Sequence, residues 1–223
     1  MITKDMNGMV ANFKKLKKSF KLRETHNFSM LITSSGSKMY YNKDNQFAKG
    51  LFLFNMVKKD VTNYIVDNGK VIPYKDLPVN YSNPKYDTSK KIIGVDIDNA
   101  YWSVAYLKGY ISENTYHRGL EYKKEFKPIR LSALSSLGKA RVYKVYEYGE
   151  YKYDEITNIN EDLQNVYLDI RYSTYGIMEN ISKLLKNDFC CWKTDCIFFY
   201  DTKENIKLVK KEIRDYGLKC KIE

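Results

Sequence analysis

The stretch from Lys91 to Ser103 constrains the fold of this chain more than any other. It opens with four β-branched residues around a single glycine, which predicts a short strand in a half-buried sheet. These residues are Ile92, Ile93, Val95 and Ile97. Asp96 and Asp98 lie near the end of the strand, two residues apart, and therefore face the same side of an extended backbone. The strand thus presents a pair of carboxylates directly before a predicted helix.

Two interpretations of these carboxylates are open at this point. Carboxylates at a strand end, followed at once by a helix, are a common way to present metal ligands. Alternatively, Asp98 or Asn99 only caps the following helix by accepting a backbone hydrogen bond. Capping alone leaves Asp96 without a role on an otherwise apolar strand, where an unpaired charge is costly. The rest of the chain has to decide between the two.

The composition predicts a folded globular chain with one main core. Of the 223 residues, 43% are hydrophobic, which is too many for a disordered protein. There is no run of about 18 apolar residues that would predict a membrane span, and residues 1–8 lack the pattern of a signal peptide. The four cysteines show no CxxC spacing, so neither zinc nor a disulfide framework is indicated. We therefore expect an intracellular, cytoplasmic protein.

The net charge predicts a polyanionic partner. A formal charge of +11 favours nucleic acid over a membrane, because no amphipathic anchor is evident. An AT-rich genome, which enriches Lys, Tyr and Asn, is the alternative explanation of this charge. Residues 7–23 are predicted to form one amphipathic helix, whose outer lysines either contact phosphates or are simply solvated. These lysines are Lys14, Lys15, Lys17 and Lys18.

Hydrophobic periodicity predicts an α+β fold. The first predicted elements are a strand over 28–41 that is interrupted by a turn at 33–37, a helix over 45–67 and an irregular proline-containing connector over 71–90. The strand after Lys91, three short helices, a hairpin over 142–153 and a long helix from Asn160 follow. The last predicted elements are strands over 189–192 and 196–200, a helix over 202–216 and a final strand. The chain is thus predicted to divide into a small N-terminal α/β extension, residues 1–89, and an α+β region, residues 90–223.

The order of elements in residues 90–223 predicts where the carboxylates meet. Without its insertions this region reads strand, helices, strand, strand, helix, strand, as in the ferredoxin-like antiparallel sheet. In such a sheet Asp96 and Asp195 come within reach of each other on neighbouring strands. Their charges repel unless a cation lies between them. A pair of divalent ions about 4 Å apart, as used in phosphoryl transfer, is the usual solution.

Three segments resemble, in order, the palm and fingers of family B DNA polymerases, especially the compact phage and protein-primed members. The first is Asp96-Ile97-Asp98-Asn99-Ala100-Tyr101-Trp102-Ser103, similar to the family's D-x-x-S-L-Y-P-S. The second, Arg130-Leu-Ser-Ala-Leu-Ser-Ser-Leu-Gly138-Lys139, is similar to K-x-x-x-N-S-x-Y-G-K of the fingers. The third, Trp192-Lys193-Thr194-Asp195-Cys196-Ile197, is similar to the hairpin D-T-D-S-I. The resemblance covers roughly residues 90–223.

The resemblance implies a two-metal nucleotidyl transferase that carries out template-directed DNA synthesis. It implies that Asp96 and Asp195 are catalytic and that both, with the position of Ile97, bind Mg²⁺ or Mn²⁺. The implied partners are a DNA template and primer, a dNTP and a priming or accessory protein. The implied fold is a ferredoxin-like palm with short fingers helices, and the implied location is the cytoplasm of a phage-infected bacterium.

The same resemblance implies a nucleotide site beside the metals. Arg130 falls on the lysine that grips the incoming triphosphate, and arginine can bind phosphate through two hydrogen bonds. Tyr101 falls on the tyrosine that packs under the sugar. Lys139 and Asn99 are implied to belong to the same site. Lys193 places a cation near the metals and joins the four lysines at residues 14–18 as a candidate contact to nucleic acid.

Departures from the family pattern favour two alternatives. Leu134 and Leu137 replace the Asn and Tyr of the fingers, Lys193 replaces the first aspartate of the hairpin, and few residues follow for a thumb. A catalytically inactive, polymerase-derived nucleic-acid-binding or phage structural protein would tolerate these changes. The second alternative is a primase-like nucleotidyl transferase, whose hhhDhD signature fits residues 95–98 and whose s-x-H signature fits a segment ending at His117.

Overall fold

A computed structural model of the chain describes residues 4–24, 28–41, 46–121 and 126–223. The helices are α1 (Lys4–Lys15), α2 (Gln46–Asn68), α3 (Ala100–Leu107), α4 (Glu113–Leu120), α5 (Lys127–Ser135), α6 (Glu161–Leu185) and α7 (Lys203–Asp215). The strands are β1 (Phe20–Glu24), β2 (Phe28–Thr33), β3 (Gly36–Tyr41), β4 (Asn80–Ser82), β5 (Ile92–Ile97), β6 (Val142–Glu147), β7 (Glu150–Ile156), β8 (Phe189–Lys193), β9 (Cys196–Tyr200) and β10 (Cys220–Ile222). Short 3-10 turns follow α5 (Ser136–Gly138) and α6 (Lys186–Asp188).

The prediction of an α+β fold is confirmed, with two antiparallel sheets of five strands each. The described residues fall into two compact units. The first unit comprises residues up to 52 together with residues 139–160, and the second comprises residues 53–138 and 161–223. Each unit contains one of the sheets. That a domain boundary lies between residues 89 and 90 stays a prediction.

The sheet of the second unit has the strand order β10-β5-β9-β8-β4. Leaving out the short edge strand β4, the chain runs strand, helices, strand, strand, helix, strand, the connectivity of the split βαβ motif. In β5 a Cβ at Gly94 would lie 2.9 Å from the ring of Phe198, so the glycine lets that ring lie over the strand. Buried apolar residues of the strands, α6 and α7 form the core: Val95, Ile97, Ile170, Ile181, Ile197, Phe199, Val209 and Ile213. That this sheet is a polymerase palm stays a prediction.

The sheet of the first unit has the strand order β3-β2-β1-β6-β7. Helix α1 packs on it through Met6, and partly buried residues of the helix extend the contact. The buried cluster consists of Met6, Phe20, Leu22, Leu31 and Tyr146. Because β1 is the central strand, hydrogen-bonded to β2 on one side and to β6 on the other, the hairpin β6–β7 completes the sheet from far along the chain.

The prediction of a single helix over residues 7–23 is wrong in its second half. Helix α1 ends at Lys15, Lys17 adopts a left-handed conformation with φ 50°, and strand β1 begins at Phe20. Phe20 and Leu22 are buried at alternate positions, which is the period of a strand, and pairing on both edges of β1 outweighs the helical spacing of the sequence. Of the four lysines, Lys14 and Lys15 therefore lie on the helix and Lys17 and Lys18 in the turn after it.

The other predicted helices and strands agree with the structure within a few residues. They include the hairpins β2–β3, β6–β7 and β8–β9, helices α2 to α7 and strand β10. The connector over 71–90, predicted to be irregular, contains the short edge strand β4, which pairs with β8. The predicted start of α2 at Asn45 lies outside the described residues. Among the helices that the structure describes, none is long and apolar enough to cross a membrane.

Candidate functional site

The second unit brings Asp96, near the end of β5, close to Asp195 in the turn between β8 and β9 of the same sheet, as predicted. Asp96 on β5 lies opposite Cys196 on β9. The Ile97 N–H donates to the main-chain oxygen of Asp195 over 3.0 Å. Adjacent strands lie about 4.8 Å apart, so the two aspartates are near neighbours across one strand spacing. The side chain of Ile97 is buried in the core, so only its main-chain oxygen is available as a ligand.

Asp195 is held in place by a two-residue turn. Lys193 and Cys196 close the hairpin as a pair, which leaves Thr194 and Asp195 as the turn. Thr194 has a left-handed conformation with φ 56°, which is unfavourable for a β-branched residue. Its N–H donates to the oxygen of Val79 over 2.9 Å, and this bond helps to hold the strained turn. The turn therefore fixes Asp195 at the end of β5.

The electrostatic environment at this sheet edge is negative. Burial, and then the charge of Asp96, raise the pKa of the Asp195 carboxyl. Burial, followed by the charges of Glu223, Asp96 and Asp195, raises the pKa of the Cys196 thiol to about 12, so this thiol stays protonated. One cation offsets the charge of Asp96, because Lys221 Nζ on β10 lies 3.1 Å from its Oδ2. The Asp195 carboxylate accepts a hydrogen bond from its own main-chain N–H, and this bond and the charge of Lys127 partly offset the rise of its pKa.

Asp195 opens into a cleft of about 230 Å³. The cleft is formed by the start of α3, one face of α5 and the β8–β9 turn, and its lining residues are Asn99, Ala100, Tyr101, Trp102, Lys127, Arg130, Leu131, Leu134, Lys193, Thr194 and Asp195. The residues from α5 follow a spacing of three and four, the spacing of one helix face. Three lining residues are cations and one is a carboxylate. Because binding pockets for whole small ligands are about 300–1,000 Å³, this cleft has room for part of a nucleotide.

Arg130 is anchored within the cleft wall rather than extended from it. It is 4% exposed; its Nη1 donates to the oxygen of Gly119 over 2.7 Å and its Nη2 donates to Asn99 Oδ1. Burial lowers the pKa of Arg130, but a guanidinium remains charged. Gly119 can approach because it has no side chain: a Cβ there would lie 2.4 Å from the ring of Trp102. Arg130 thus supplies a fixed positive charge.

Asn99 occupies the cap position of α3 without capping it through its side chain. It is left-handed, with φ 51°, and its main-chain oxygen accepts from the N–H of Ser103. Its side-chain oxygen accepts from Arg130 instead of from a helix N–H. The simple capping interpretation of Asn99 is therefore wrong, because Arg130 takes the acceptor that a cap would use.

Tyr101 is fixed by a second tyrosine. Its hydroxyl lies 2.8 Å from the hydroxyl of Tyr175 on α6, and the two rings meet edge to face. Arg171, one turn before Tyr175 on the same helix, donates to the Tyr175 hydroxyl over 3.4 Å. Burial, and then the bond to Tyr175, raise the pKa of Tyr101. Tyr101 therefore lines the cleft as a neutral, oriented ring.

Several predicted residues lie elsewhere. Lys139 and the four lysines at residues 14–18 belong to the first unit. His117, required by the primase-like alternative, is on α4 with its side chain 66% exposed and 3.6 Å from Glu113. It does not line the cleft among the described residues.

Sequence reasoning missed Lys127 and Lys221. Lys127 stands three residues before Arg130, so its position on the same helix face was readable from spacing. The position of Lys221 beside Asp96 could not be predicted from the sequence, because it depends on how β10 pairs with β5.

The donor set fits a magnesium-type ion that arrives with a phosphate ligand. Among the described residues no group of three or more His, Cys, Asp or Glu is placed to hold a metal. Mg²⁺ usually keeps several waters and binds through one or two carboxylates plus substrate phosphates, rather than in a cage made by the protein alone. Asp96 and Asp195 would supply those two carboxylates.

Comparison of the chain with protein-family models, with curated proteins and with solved structures gives no match. The placement of the residues described above is therefore the basis on which a function is proposed.

Proposed function

We propose that the chain is a nucleotidyl transferase of the family B polymerase type, acting on a DNA template and primer with a dNTP. One observation carries the proposal. The half-buried carboxylate of Asp195, beside Asp96, faces a cleft whose other charged residues are Lys127, Arg130 and Lys193. Burial and the charge of Asp96 both disfavour the ionised form of Asp195, and a carboxyl with a raised pKa in a cleft is typical of a functional position.

The cationic wall supports binding of a triphosphate. Lys127 and Arg130 come from one face of α5, and Lys193 is the last residue of β8. Positive charges on opposite elements of one cleft hold a polyanion in place, and the anchored Arg130 needs no rearrangement to contribute. Tyr101 offers an oriented ring for the sugar, in line with its place in the resembled motif.

Asp96 and Asp195 are the residues that would hold divalent ions. When bound, such ions activate the attacking hydroxyl and neutralise charge on the transferred phosphate. In this proposal the protein's own part is to bring the two carboxylates together through the turn at Thr194. Asn99 is kept in place by Arg130, so it helps to shape the cleft.

The second candidate function is nucleic-acid binding without catalysis. It is favoured by the ion pair between Lys221 and Asp96, because an ammonium group within 3.1 Å of Oδ2 competes with a metal for that carboxylate. A polymerase-derived binding or phage structural protein would keep such a pair. The primase-like alternative is less well supported, since His117 is exposed on α4 and is not one of the residues that line the cleft.

The test is isothermal titration of Mn²⁺ with dTTP into the wild type and into Asp195→Asn. We expect metal-dependent nucleotide binding in the wild type and a loss of at least tenfold in the variant, since one of two metal ligands is removed. Asp215→Asn is the matched control, because it removes an exposed aspartate on α7 with the same change in charge. Denaturation of all three proteins checks that they are folded.

The outcomes separate the two candidate functions. Binding that persists unchanged in Asp195→Asn contradicts the proposed site. The absence of nucleotide binding in folded wild type, together with salt-dependent DNA binding, contradicts nucleotidyl transfer and supports the second candidate.

A further inference from the structure

One end of the first unit carries four lysines and two exposed tyrosines close together. Helix α1 ends there, and the turn between β6 and β7 packs against the residues that follow it. The N–H of Gly149 donates to the oxygen of Lys18 over 3.0 Å, and the N–H of Tyr148 donates to Ser19 Oγ over 3.3 Å. We call this region the lysine–tyrosine surface, and its residues are Lys14, Lys15, Lys17, Lys18, Tyr148 and Tyr151.

The lysines of this surface have no ion-pair partner among the described residues. Elsewhere in the same unit, lysines are neutralised: Lys21 pairs with Glu155, Lys144 with Glu24 and Lys152 with Glu150. The ammonium group of Lys14 instead lies over the ring of Tyr146 at 4.9 Å, and that of Lys18 lies over Phe13 at 5.5 Å. The surface therefore keeps a concentrated positive charge.

The backbone of the surface is strained at two positions. Lys17 and Tyr148 are both left-handed, each with φ 50°. In a two-residue hairpin turn the position of Tyr148 normally holds Asn, Asp or Gly. The next residue, Gly149, is required, because a Cβ there would lie 2.4 Å from the oxygen of Lys14. A tyrosine held in this conformation points to a function for its side chain rather than to stability.

The tyrosine rings are exposed and partly oriented. Tyr148 is 73% exposed and Tyr151 is 53% exposed. Tyr151 meets the ring of Tyr146 edge to face at 5.8 Å, and Tyr146 in turn stacks on Phe20 at 4.5 Å. Tyr151 is thus supported by the core, while Tyr148 extends freely from the turn tip.

We propose that the lysine–tyrosine surface binds single-stranded nucleic acid. Lysines neutralise the phosphates and exposed aromatic rings stack on bases, and this combination is used by proteins that bind single strands without sequence preference. A duplex offers the same phosphates, but its bases are already stacked on each other. The two tyrosines therefore favour a strand with unpaired bases over a duplex. The proposal does not require nucleotidyl transfer and holds for a binding protein as well.

The neighbouring carboxylates do not cancel this charge. Glu150 is paired with Lys152 at 3.2 Å, so it does not face the four lysines unpaired. Glu147, which pairs with Glu150 across the hairpin, is an exposed carboxylate of the turn, and Asp154 on β7 is exposed and accepts a hydrogen bond from Tyr151. Two negative charges against four positive ones leave the surface attractive to a polyanion.

The experiment measures binding of fluorescein-labelled oligo(dT) by anisotropy, without metal or nucleotide, over a range of salt concentrations. With four lysines in contact, the slope of log K against log salt is expected to be about −3, since single strands give about −0.7 per phosphate. Lys15→Ala/Lys17→Ala should make this slope less steep by about 1.4 and weaken binding about tenfold. Lys203→Ala/Lys207→Ala, two exposed lysines of α7, is the control with the same loss of charge.

The role of the tyrosine is tested by Tyr148→Asn. Asparagine favours the left-handed conformation at this position, so the variant keeps or improves the turn while removing the ring. We expect about tenfold weaker binding of oligo(dT) with no loss of stability. A duplex of equal length should bind more weakly than oligo(dT) to the wild type and be unaffected by this change.

Three results would overturn the proposal. One is an equal loss of affinity in the two double lysine variants, which would make the effect one of net charge. Another is unchanged oligo(dT) binding in Tyr148→Asn. The third is the absence of measurable oligo(dT) binding by the folded wild type at low salt.

Discussion

Two aspartates of the second unit are withdrawn from water, and the protein treats them in opposite ways. Asp169 on α6 accepts hydrogen bonds from Lys108 Nζ and the Tyr110 hydroxyl, both at 2.6 Å, and from the Tyr74 N–H at 2.8 Å. Asp195 is half-buried, lies beside another carboxylate and accepts a hydrogen bond from its own main-chain N–H. A buried aspartate that the protein itself surrounds with donors has a structural role, whereas a half-buried aspartate beside a like charge keeps the capacity to bind a cation.

The largest effect on the free energy of unfolding is expected at Asp169. Asp169→Ala should lower the free energy of unfolding by about 3 kcal/mol, because it leaves the Tyr110 hydroxyl, the Tyr74 N–H and Lys108 without their acceptor. Urea denaturation measures this. A change below about 1 kcal/mol would show that the three bonds contribute little and would break the contrast with Asp195.

Replacement of Asp195 is expected to change the free energy of unfolding in the opposite direction. Asp195→Asn removes a carboxylate whose pKa is raised by burial and by Asp96, so at pH 7 and without metal the variant should be more stable than the wild type. The raised pKa means that ionisation costs stability as the pH rises through the folded-state pKa. The advantage of the variant should therefore disappear as the pH falls toward the unfolded-state pKa of about 3.9.

Denaturation curves of wild type and Asp195→Asn, measured with EDTA at a series of pH values, check this expectation. A destabilised variant at pH 7 would mean that Asp195 has a structural partner and belongs with Asp169.

The smallest effect is expected at Lys221. Its side chain is 54% exposed, so Lys221→Met should change the free energy of unfolding by less than about 1 kcal/mol. If Asp96 binds a metal, removal of the competing ammonium should tighten Mn²⁺ binding about threefold or more. Titration of Mn²⁺ into both proteins decides this, and weaker binding in the variant would show that Lys221 assists the ligand instead of competing with it.

Local sequence patterns predicted most of the helices and strands. The element that was mispredicted depends on pairing with a strand far away in the sequence. The alternation in β8 and β9 and the spacing in α6 were readable because each depends on residues close in sequence. Residues 17–24 were misread because Lys17 takes the left-handed position that a glycine normally marks. The strand that follows exists because β2 and β6 pair with it, and β6 lies far along the chain.

The candidate site was also predicted only in part. Strand order placed Asp96 and Asp195 on one sheet, and the resemblance to the fingers motif drew attention to Arg130. The sequence could not show that Arg130 is held by Gly119 and Asn99, because that geometry depends on the close packing of Gly119 against Trp102. It also could not show which aspartates have hydrogen-bond donors, since those of Asp169 come from two distant segments of the chain, Tyr74 from one and Lys108 and Tyr110 from the other.

The discontinuous sheet of the first unit has a consequence for synthesis on the ribosome. Strand β1 receives its second neighbour only when β6 emerges, and Lys144 bonds to Glu24 across 120 residues of chain. At about 5–20 residues per second, this delay is roughly 6 to 24 s. During that interval β1 has one open edge, with Phe20 and Leu22 lacking part of their final cover. The nascent chain is then most exposed to mispairing, and a chaperone that shields strand edges would be most useful at this stage.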